Sequence, residues 1–414
     1  MKMSKVRFGG LAAALYAASL LFLLFQGGKT SLMLFVMLNA LGLYLLLGRW
    51  SGIGKVQGAR TFETAAENDA VIPAGTRLRL KLSVHVPGFW PHPYIIVRER
   101  LTRQSSRELQ NYELSFVPDY KRRGTMIYET APLKRGRYQF RSTECSTRDI
   151  FGLFEHRGSF DAPQEIRVSP RTVPIRDWRF SRLARSGASE QRASSLWSRE
   201  TTQIDGVREY IRGDRMSRIH WNATARTGDW KSKEYERESL PRLVIVLDRR
   251  AASYRTSEQF ELAVSVAASL LDFAFRRNMP IGFVSAGAER IVFGAGRGAP
   301  VRSQVMDHLI DAEVDGIAPC REAIYEASER FELGACIVLV SPETDDGTAK
   351  ALTALASRRQ AAGHIRIAAG SAPDGPEEAA RLTSWSRMFQ ARGWSFTSLS
   401  SLEELQQALE VGSA

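Results

Sequence analysis

The hydrophobic pattern of this chain changes character three times. Phe8 to Phe25 and Leu32 to Gly48 are almost continuously apolar. Each run, at roughly 17 to 20 residues, is long enough for a membrane-crossing helix at about 1.5 Å per residue. The link QGGKTS (Gln26 to Ser31) is too short to hold a domain, so residues 1–48 predict a transmembrane helical hairpin. The pattern then turns to period two. In RLRLKLSVHV (Arg77 to Val86), Leu78, Leu80, Leu82, Val84 and Val86 share one face, the signature of a half-buried strand. PGFWPHP breaks it, and YIIVRERL, NYELSFVP, TMIYETAP and GRYQFRSTE continue it, which predicts a small β-sandwich over residues 60–170. Arg and Lys between the apolar positions are its solvated face.

From Pro170 to Ile204 the periodicity disappears into Ser, Arg and Ala, the composition of a mobile connector for which Trp197 is a candidate anchor. Residues 171–242 thus form a linking segment. After Leu243 short apolar runs alternate with amphipathic stretches. LVIVLD, IGFVSAG, RIVFG, CIVLVS, HIRIAAG and SFTSLS read as six strands. Helices are predicted near 257–277, 301–312, 321–331, 348–361, 377–392 and 402–409, with Ser257 as an N-cap of the first. That alternation predicts a doubly wound α/β domain over residues 243–414, whose ligand edge is where LVIVLD ends in Asp248.

Charge adds a location to this picture. Lys2, Lys5 and Arg7 precede the apolar pair and Arg49, Lys55 and Arg60 follow it, while Lys29 alone lies in the link. The positive-inside rule then places both flanks and the soluble body on the cytoplasmic side of the membrane. A second apolar run directly after the first, and the lack of an Ala-x-Ala site before it, argue against a cleaved signal peptide. Residues 1–242 carry a net +17 and residues 243–414 a net −5, which together make the overall +12. An anionic leaflet accounts for the basic half. Nucleic acid is not implied, because acidic residues are interleaved and no helix-turn-helix, RNA-recognition or zinc-finger pattern is present. Cys145, Cys320 and Cys336 are widely spaced, which supports neither a disulfide framework nor a zinc site. Cys336, before an apolar run, reads as a core residue.

The most distinctive local stretch is Arg208 to Glu238, dense in Arg, Asp and Glu around Tyr210, Trp221, Trp230 and Tyr235. Within it, Arg208, Tyr210, Gly213, Asp214, Ile219, Trp221, Ala225 and Arg226 match the pattern R-x-Y-x-x-G-D-x-x-x-x-I-x-W-x-x-x-A-R. This resembles the bacterial "domain of unknown function 58" family. A second match lies in KRGRYQFRSTECSTRDIFGLF (Lys134 to Phe154), with Ile150 where that family commonly has Pro. The local reading is a turn at Arg212-Gly213-Asp214 and a helix capped by Asp214, running to about Arg226 and closed by Gly228. Ile219 and Ala223 would share its packed face. Arg208, Tyr210, Asp214, Arg218, Trp221 and Arg226 would form an ion-pair and stacking network, serving either as an interdomain brace or as a partner-docking surface. The resemblance implies a partner, a MoxR-type AAA+ ATPase.

The order of elements after Leu243 resembles a von Willebrand factor type A domain. Such domains commonly hold Mg²⁺ through D-x-S-x-S, a Thr from a middle loop and an Asp after the fourth strand, oxygen ligands suited to a hard cation. Here Asp248 is followed by Arg249, Arg250, Ala251 and Ala252, the middle loop reads GIAPCRE, and Ser341-Pro342-Glu343 closes the fourth strand. The resemblance therefore implies a degenerate site at Asp248, with Arg249 or Arg250 expected to pair with it and Glu343 or Asp345 as conceivable substitutes. No cofactor is expected.

Other motifs are weaker. GAGRGA (Gly294 to Ala299) lacks the phosphate-loop Lys and reads as a surface loop. No G-x-S-x-G is present, and His220, between Ile219 and Trp221, reads as packing. The expectation is a non-enzymatic, membrane-anchored scaffold or adaptor. Its rivals are an Mg²⁺-dependent ligand-binding protein and an enzyme of cell-envelope metabolism using Glu209, Asp214 or His220.

Overall fold

The computed structural model of the protein describes residues 5–48, 52–63, 71–106, 108–152, 154–178, 199–211, 216, 219–238, 242–331, 335–358, 360–370 and 375–411. The chain is mixed α/β with several sheets. It divides into two compact units, Met1–Val168 and Ser169–Ala414.

The first unit opens with two helices, α1 (Lys5–Gln26) and α2 (Lys29–Gly48), which meet through Tyr16 and Phe35 at 5.8 Å between rings. The expectation that they span a membrane is overturned: among the described residues no helix is long and apolar enough to do so. In α2 the Asn39 amide donates to the Phe35 carbonyl at 2.8 Å. The expected membrane location rested on these two spans and goes with them.

Strands β1 (Gln57–Phe62), β2 (Ile72–Pro73), β3 (Arg79–His85), β4 (Ile95–Arg103), β5 (Leu109–Phe116), β6 (Arg123–Glu129), β7 (Gly136–Arg148) and β8 (Glu155–Ser169) follow. They form a three-stranded sheet, β1-β3-β6, and a five-stranded sheet, β2-β8-β7-β4-β5. The period-two run is β3, with Leu78, Leu80, Leu82, Val84 and Val86 all buried. These side chains meet Ile95, Val97, Leu101, Phe140, Phe160 and Ile166 of the larger sheet, so the core lies between the two sheets.

In the second unit, β9 (Arg199–Glu209), helix α3 (Trp221–Thr227) and β10 (Lys231–Glu238) precede the central sheet. β11 (Leu243–Asp248), α4 (Ser257–Arg276), β12 (Ile281–Ala286), β13 (Arg290–Gly296), α5 (Ala299–Asp311) and α6 (Cys320–Arg330) come next. β14 (Cys336–Ser341), α7 (Asp346–Leu355), β15 (Ala361–Ile367), α8 (Pro376–Gln390), β16 (Ser395–Leu399) and α9 (Glu404–Val411) complete it. The six strands run in the order β13-β12-β11-β14-β15-β16, all parallel except β13. Alternate residues of the fully buried β11 feed opposite cores. Leu243, Ile245 and Leu247 join the layer containing α4, while Val244 and Val246 join the layer containing α6 and α8.

Two segments depart from their expected form. The connector's beginning is packed rather than loose: Ile175 and Trp178 are buried in the core with α4, and the Val173 N–H donates to Ser269 Oγ at 3.1 Å. Its end, Arg199 to Ile204, is part of β9. The stretch between, including Trp197, lies outside the described residues.

Candidate functional site

The parallel sheet reverses winding direction between β11 and β14, and at such a switch point the strand ends diverge to leave a crevice. β11 delivers Asp248 there and β14 delivers Ser341 and, just beyond it, Glu343. The turn after β11 brings Arg250 and Ser253 back over the strand ends, and the N-terminus of α6 brings Cys320. Asp248, Cys320 and Glu343 lie with one ligand atom each inside 4.8 Å of the others.

Every carboxylate oxygen of this group is engaged. The backbone N–H of Arg250 donates to Asp248 Oδ1 at 2.9 Å, and Ser341 Oγ donates to Oδ2 at 2.7 Å. Glu343 Oε1 accepts from Arg250 Nη1 at 2.6 Å and from Ser253 Oγ at 2.8 Å. Its Oε2 accepts from Cys320 Sγ at 3.4 Å. Burial raises the Asp248 carboxyl to about 6, against the Arg250 N–H and the Ser341 hydroxyl, which lower it. Burial also pushes the Cys320 thiol well above its ordinary value, with the Asp248 charge adding to the effect. That thiol is neutral at physiological pH, a donor rather than a nucleophile.

The expected pairing of Asp248 with an arginine side chain is corrected. Arg250 reaches Glu343 instead, and Arg249 turns away to Asp315 at 2.7 Å and Ser285 at 3.1 Å. Of the two conceivable acidic substitutes, Glu343 joins the cluster, while Asp345 caps α7 by accepting the Thr348 N–H at 3.2 Å. Ser253 and Cys320 are the members the sequence did not single out. Ser253 lies five positions after Asp248, and a short 3₁₀ turn over Ala251–Ser253 is what folds it back.

A divalent cation does not fit this arrangement. A metal bound by Asp248 and Glu343 would have to share Glu343 with a guanidinium already 2.6 Å from it. At an effective dielectric of 20, like unit charges about 4 Å apart repel by roughly 4 kcal/mol, and a double charge by twice that. The arginine already supplies a positive charge beside Glu343.

Behind the crevice, His364 Nε2 lies 3.1 Å from the Ser341 carbonyl, and the Trp385 indole N–H donates to His364 Nδ1 at 3.0 Å. With Nδ1 accepting, Nε2 carries the proton and donates to Ser341. Complete burial lowers the imidazole to about 4, so it stays neutral and positions β14.

The second candidate surface is the hairpin of β9 and β10, antiparallel, with Lys231 opposite Glu209. Between these strands the chain forms α3 and returns. The Tyr210 N–H donates to the Trp230 carbonyl at 2.9 Å, and the His220 N–H to the Lys231 carbonyl at 2.8 Å. The expected long helix capped by Asp214 is corrected. Helix α3 starts at Trp221, its cap is His220, whose Nδ1 accepts the Ala223 N–H at 3.1 Å, and Gly228 closes it in the left-handed region at φ 78°. Ile219 is buried in a bridge to Ser232 rather than on a helix face.

Trp230 joins the aromatic pair that the sequence selected, with Tyr210 at 5.4 Å and Trp221 at 6.5 Å between rings. Trp221 is 61% and Trp230 48% exposed, beside exposed Ile211 and Met216. Arg208 Nη1 donates to the Glu209 carbonyl at 3.0 Å, and Lys231 pairs with Glu209 at 3.4 Å. Arg226 is exposed in the last turn of α3. Gly213, Asp214 and Arg218 lie outside the described residues. GAGRGA is divided between the end of β13 and Gly298, which precedes α5 with φ 85°.

Comparison with known proteins bears on both surfaces. Residues 206–368 match the family described as "Protein of unknown function DUF58", a span containing Tyr210, Trp221 and Trp230 and the crevice residues Asp248, Arg250, Ser253, Cys320, Ser341 and Glu343. The chain is 27% identical over 309 residues to "Uncharacterized protein YeaD" of Bacillus subtilis (strain 168), covering 74% of each. Among solved structures, it is similar at a TM-score of 0.18 and 14% identity to the CARDB domain of the PF1109 protein from Pyrococcus furiosus, in complex with di-metal ions. That likeness spans 27% of this chain and 91% of the other.

Proposed function

We propose that this protein is a non-catalytic interaction module that docks a protein partner through the aromatic hairpin. The observation that carries this reading is the ring contact of Trp230 with both Tyr210 and Trp221, with the two tryptophans exposed at the surface. Exposed tryptophans on a segment that also carries Arg208 and Arg226 have the make-up of an interface hot spot. The indoles supply apolar area at low entropic cost, and the cations orient an acidic partner. The neutral thiol and fully hydrogen-bonded carboxylates of the crevice support the non-catalytic part of the proposal.

The partner class is the MoxR-type AAA+ ATPase implied by the sequence resemblance, and the sheet of the second unit is taken as von Willebrand factor type A-like with its metal position reworked. The test is calorimetric titration of the full chain with a purified MoxR-type ATPase from the same source. The proposal expects measurable binding that weakens at least about tenfold, about 1.4 kcal/mol, in Trp221→Ala and Trp230→Ala. Absence of binding removes the ATPase assignment; binding that both variants retain in full removes the hairpin.

A further inference from the structure

The disagreement between the switch-point crevice and a metal ion has a positive content. Two carboxylates converge there within 4.8 Å of a thiol, and the hydroxyls of Ser253 and Ser341 hydrogen-bond to them. Such a set of hard oxygen donors in a partly buried cleft matches what a small divalent cation requires. One side chain sets it apart. The Arg250 guanidinium reaches in from the rim, 2.6 Å from Glu343, with about a third of its side chain still exposed.

We propose that Arg250 is a built-in cation, permanently filling the electrostatic position of a divalent metal, and that removing it uncovers a divalent-cation site formed by Asp248, Ser253, Ser341 and Glu343. Three features of the geometry support it. Arg250 leaves the Asp248 carboxylate to its own backbone N–H and spends its guanidinium on Glu343, the residue farther along the cleft. Asp248 is therefore held by two uncharged donors, the Arg250 N–H and the Ser341 hydroxyl, while the guanidinium charge enters from the Glu343 side. The hydroxyl of Ser253 is aimed at the same Glu343 oxygen as the guanidinium, so the donors converge on one point. Finally, Arg250 is anchored from behind. Its residue forms a parallel bridge with Gly316, the Ala251 N–H donates to the Gly316 carbonyl at 2.9 Å, and the Tyr254 hydroxyl donates to the Asp248 carbonyl at 2.6 Å. The turn carrying the guanidinium is thus held in place independently of the ion pair, and shortening that one side chain need not collapse the cluster. This inference concerns a different surface from the docking hairpin and stands or falls without it.

Mn²⁺ is a suitable probe, because its oxygen preference resembles that of Mg²⁺ and its bound and free forms are distinguished by paramagnetic resonance. The full chain is titrated with Mn²⁺ as wild type, Arg250→Ser, Arg250→Gln, and Arg250→Ser combined with Glu343→Gln. Circular dichroism reports that each is folded, and the glutamine variant preserves side-chain bulk should the serine variant unfold. The expected result is binding at least about tenfold tighter in a folded Arg250 variant than in wild type, lost again on adding Glu343→Gln. Binding by wild type as tight as by the variants overturns the proposal, as does a folded variant that binds no more tightly than wild type.

Discussion

Each unit of the molecule holds an arginine–glutamate pair, one enclosed and one at an open edge, and the two are built differently. In the first unit Arg60 and Glu99 lie between the sheets, both essentially inaccessible. Arg60 donates to Glu99 through Nε at 3.1 Å and also through Nη2, reaches the Ala162 carbonyl at 2.8 Å through Nη1, and stacks on Phe140 at 3.8 Å. Thr143 and Tyr128 satisfy the remaining capacity of the carboxylate, and burial together with the Glu99 charge raises the Tyr128 hydroxyl far above its ordinary range. In the second unit Arg250 meets Glu343 at the ends of strands, through one nitrogen, with its other face toward solvent. The first pair ties β1 to β4, on different sheets, and so fixes how the two sheets register. The second leaves a cation at an open edge. The two pairs thus differ both in burial and in how far their donors are consumed within the protein.

The largest effect that could break this comparison is expected at the closed pair. Arg60→Ala or Glu99→Ala leaves one charge uncompensated between the sheets and should cost about 3–5 kcal/mol in urea unfolding. Replacing both together, Arg60→Met with Glu99→Leu, should cost clearly less than either single change. If the double variant loses as much as the sum, the pair is not acting as a unit.

The next effect is a pH dependence confined to the second unit. Asp248, raised to about 6 when folded, binds a proton more readily folded than unfolded. Its contribution is fully present below about pH 4 and is lost as pH rises through 6, by about 3 kcal/mol. His364, lowered to about 4, has the opposite sign: its contribution is present above about pH 6.5 and is lost as pH falls toward 4, by a similar amount. In wild type the two offset between about pH 4 and 6. Asp248→Asn should expose the acid loss and His364→Gln the loss on raising pH, read as unfolding midpoints in urea across that window. Parallel profiles in the two variants would show that neither group titrates as its surroundings require.

Arg250→Ala gives the direct contrast with Arg60→Ala. Glu343 retains Ser253 and Cys320 as donors and the pair is partly solvated, so the stability cost should be about 1 kcal/mol or less. A cost near that of Arg60→Ala would reassign the crevice to architecture.

The sequence disclosed these regions unequally, for physical reasons. β3 and β11 were legible because burial on one face or both writes period two or a continuous apolar run into the residues. The β9 hairpin was not. In RETTQIDGVRE (Arg199–Glu209) only Ile204 and Val207 are apolar, so no alternation marked a strand, and the preceding Ser- and Arg-rich stretch suggested a connector. Trp178 packed where a linker was expected because a single indole buries enough area to fasten a segment without any repeat. In the crevice, Asp248 stood at a strand end and was identifiable, and Glu343 was one of two candidates. Ser253 and Cys320 belong to it only through the turn after β11 and the start of α6, which bring them to Glu343 from 90 and 23 positions away, contacts that no local pattern encodes.

The smallest expected change in stability is at the docking hairpin, and there the smallness is the point. A tryptophan that serves the fold is enclosed, as Trp178 is, and its truncation to alanine opens a cavity worth about 3–5 kcal/mol. Trp221 is 61% exposed at the first position of a seven-residue helix whose cap is provided by His220 and whose end is closed by Gly228. Neither capping interaction uses the indole, and its described ring contact is with Trp230, itself 48% exposed. Trp221→Ala should therefore shift the urea midpoint by no more than about 0.5 kcal/mol, while Trp178→Ala lowers it by several. An exposed aromatic that can be removed without harm to the fold is retained for something outside the fold. If Trp221→Ala instead destabilises the second unit as Trp178→Ala does, the hairpin is a brace, and the docking proposal loses the observation on which it stands.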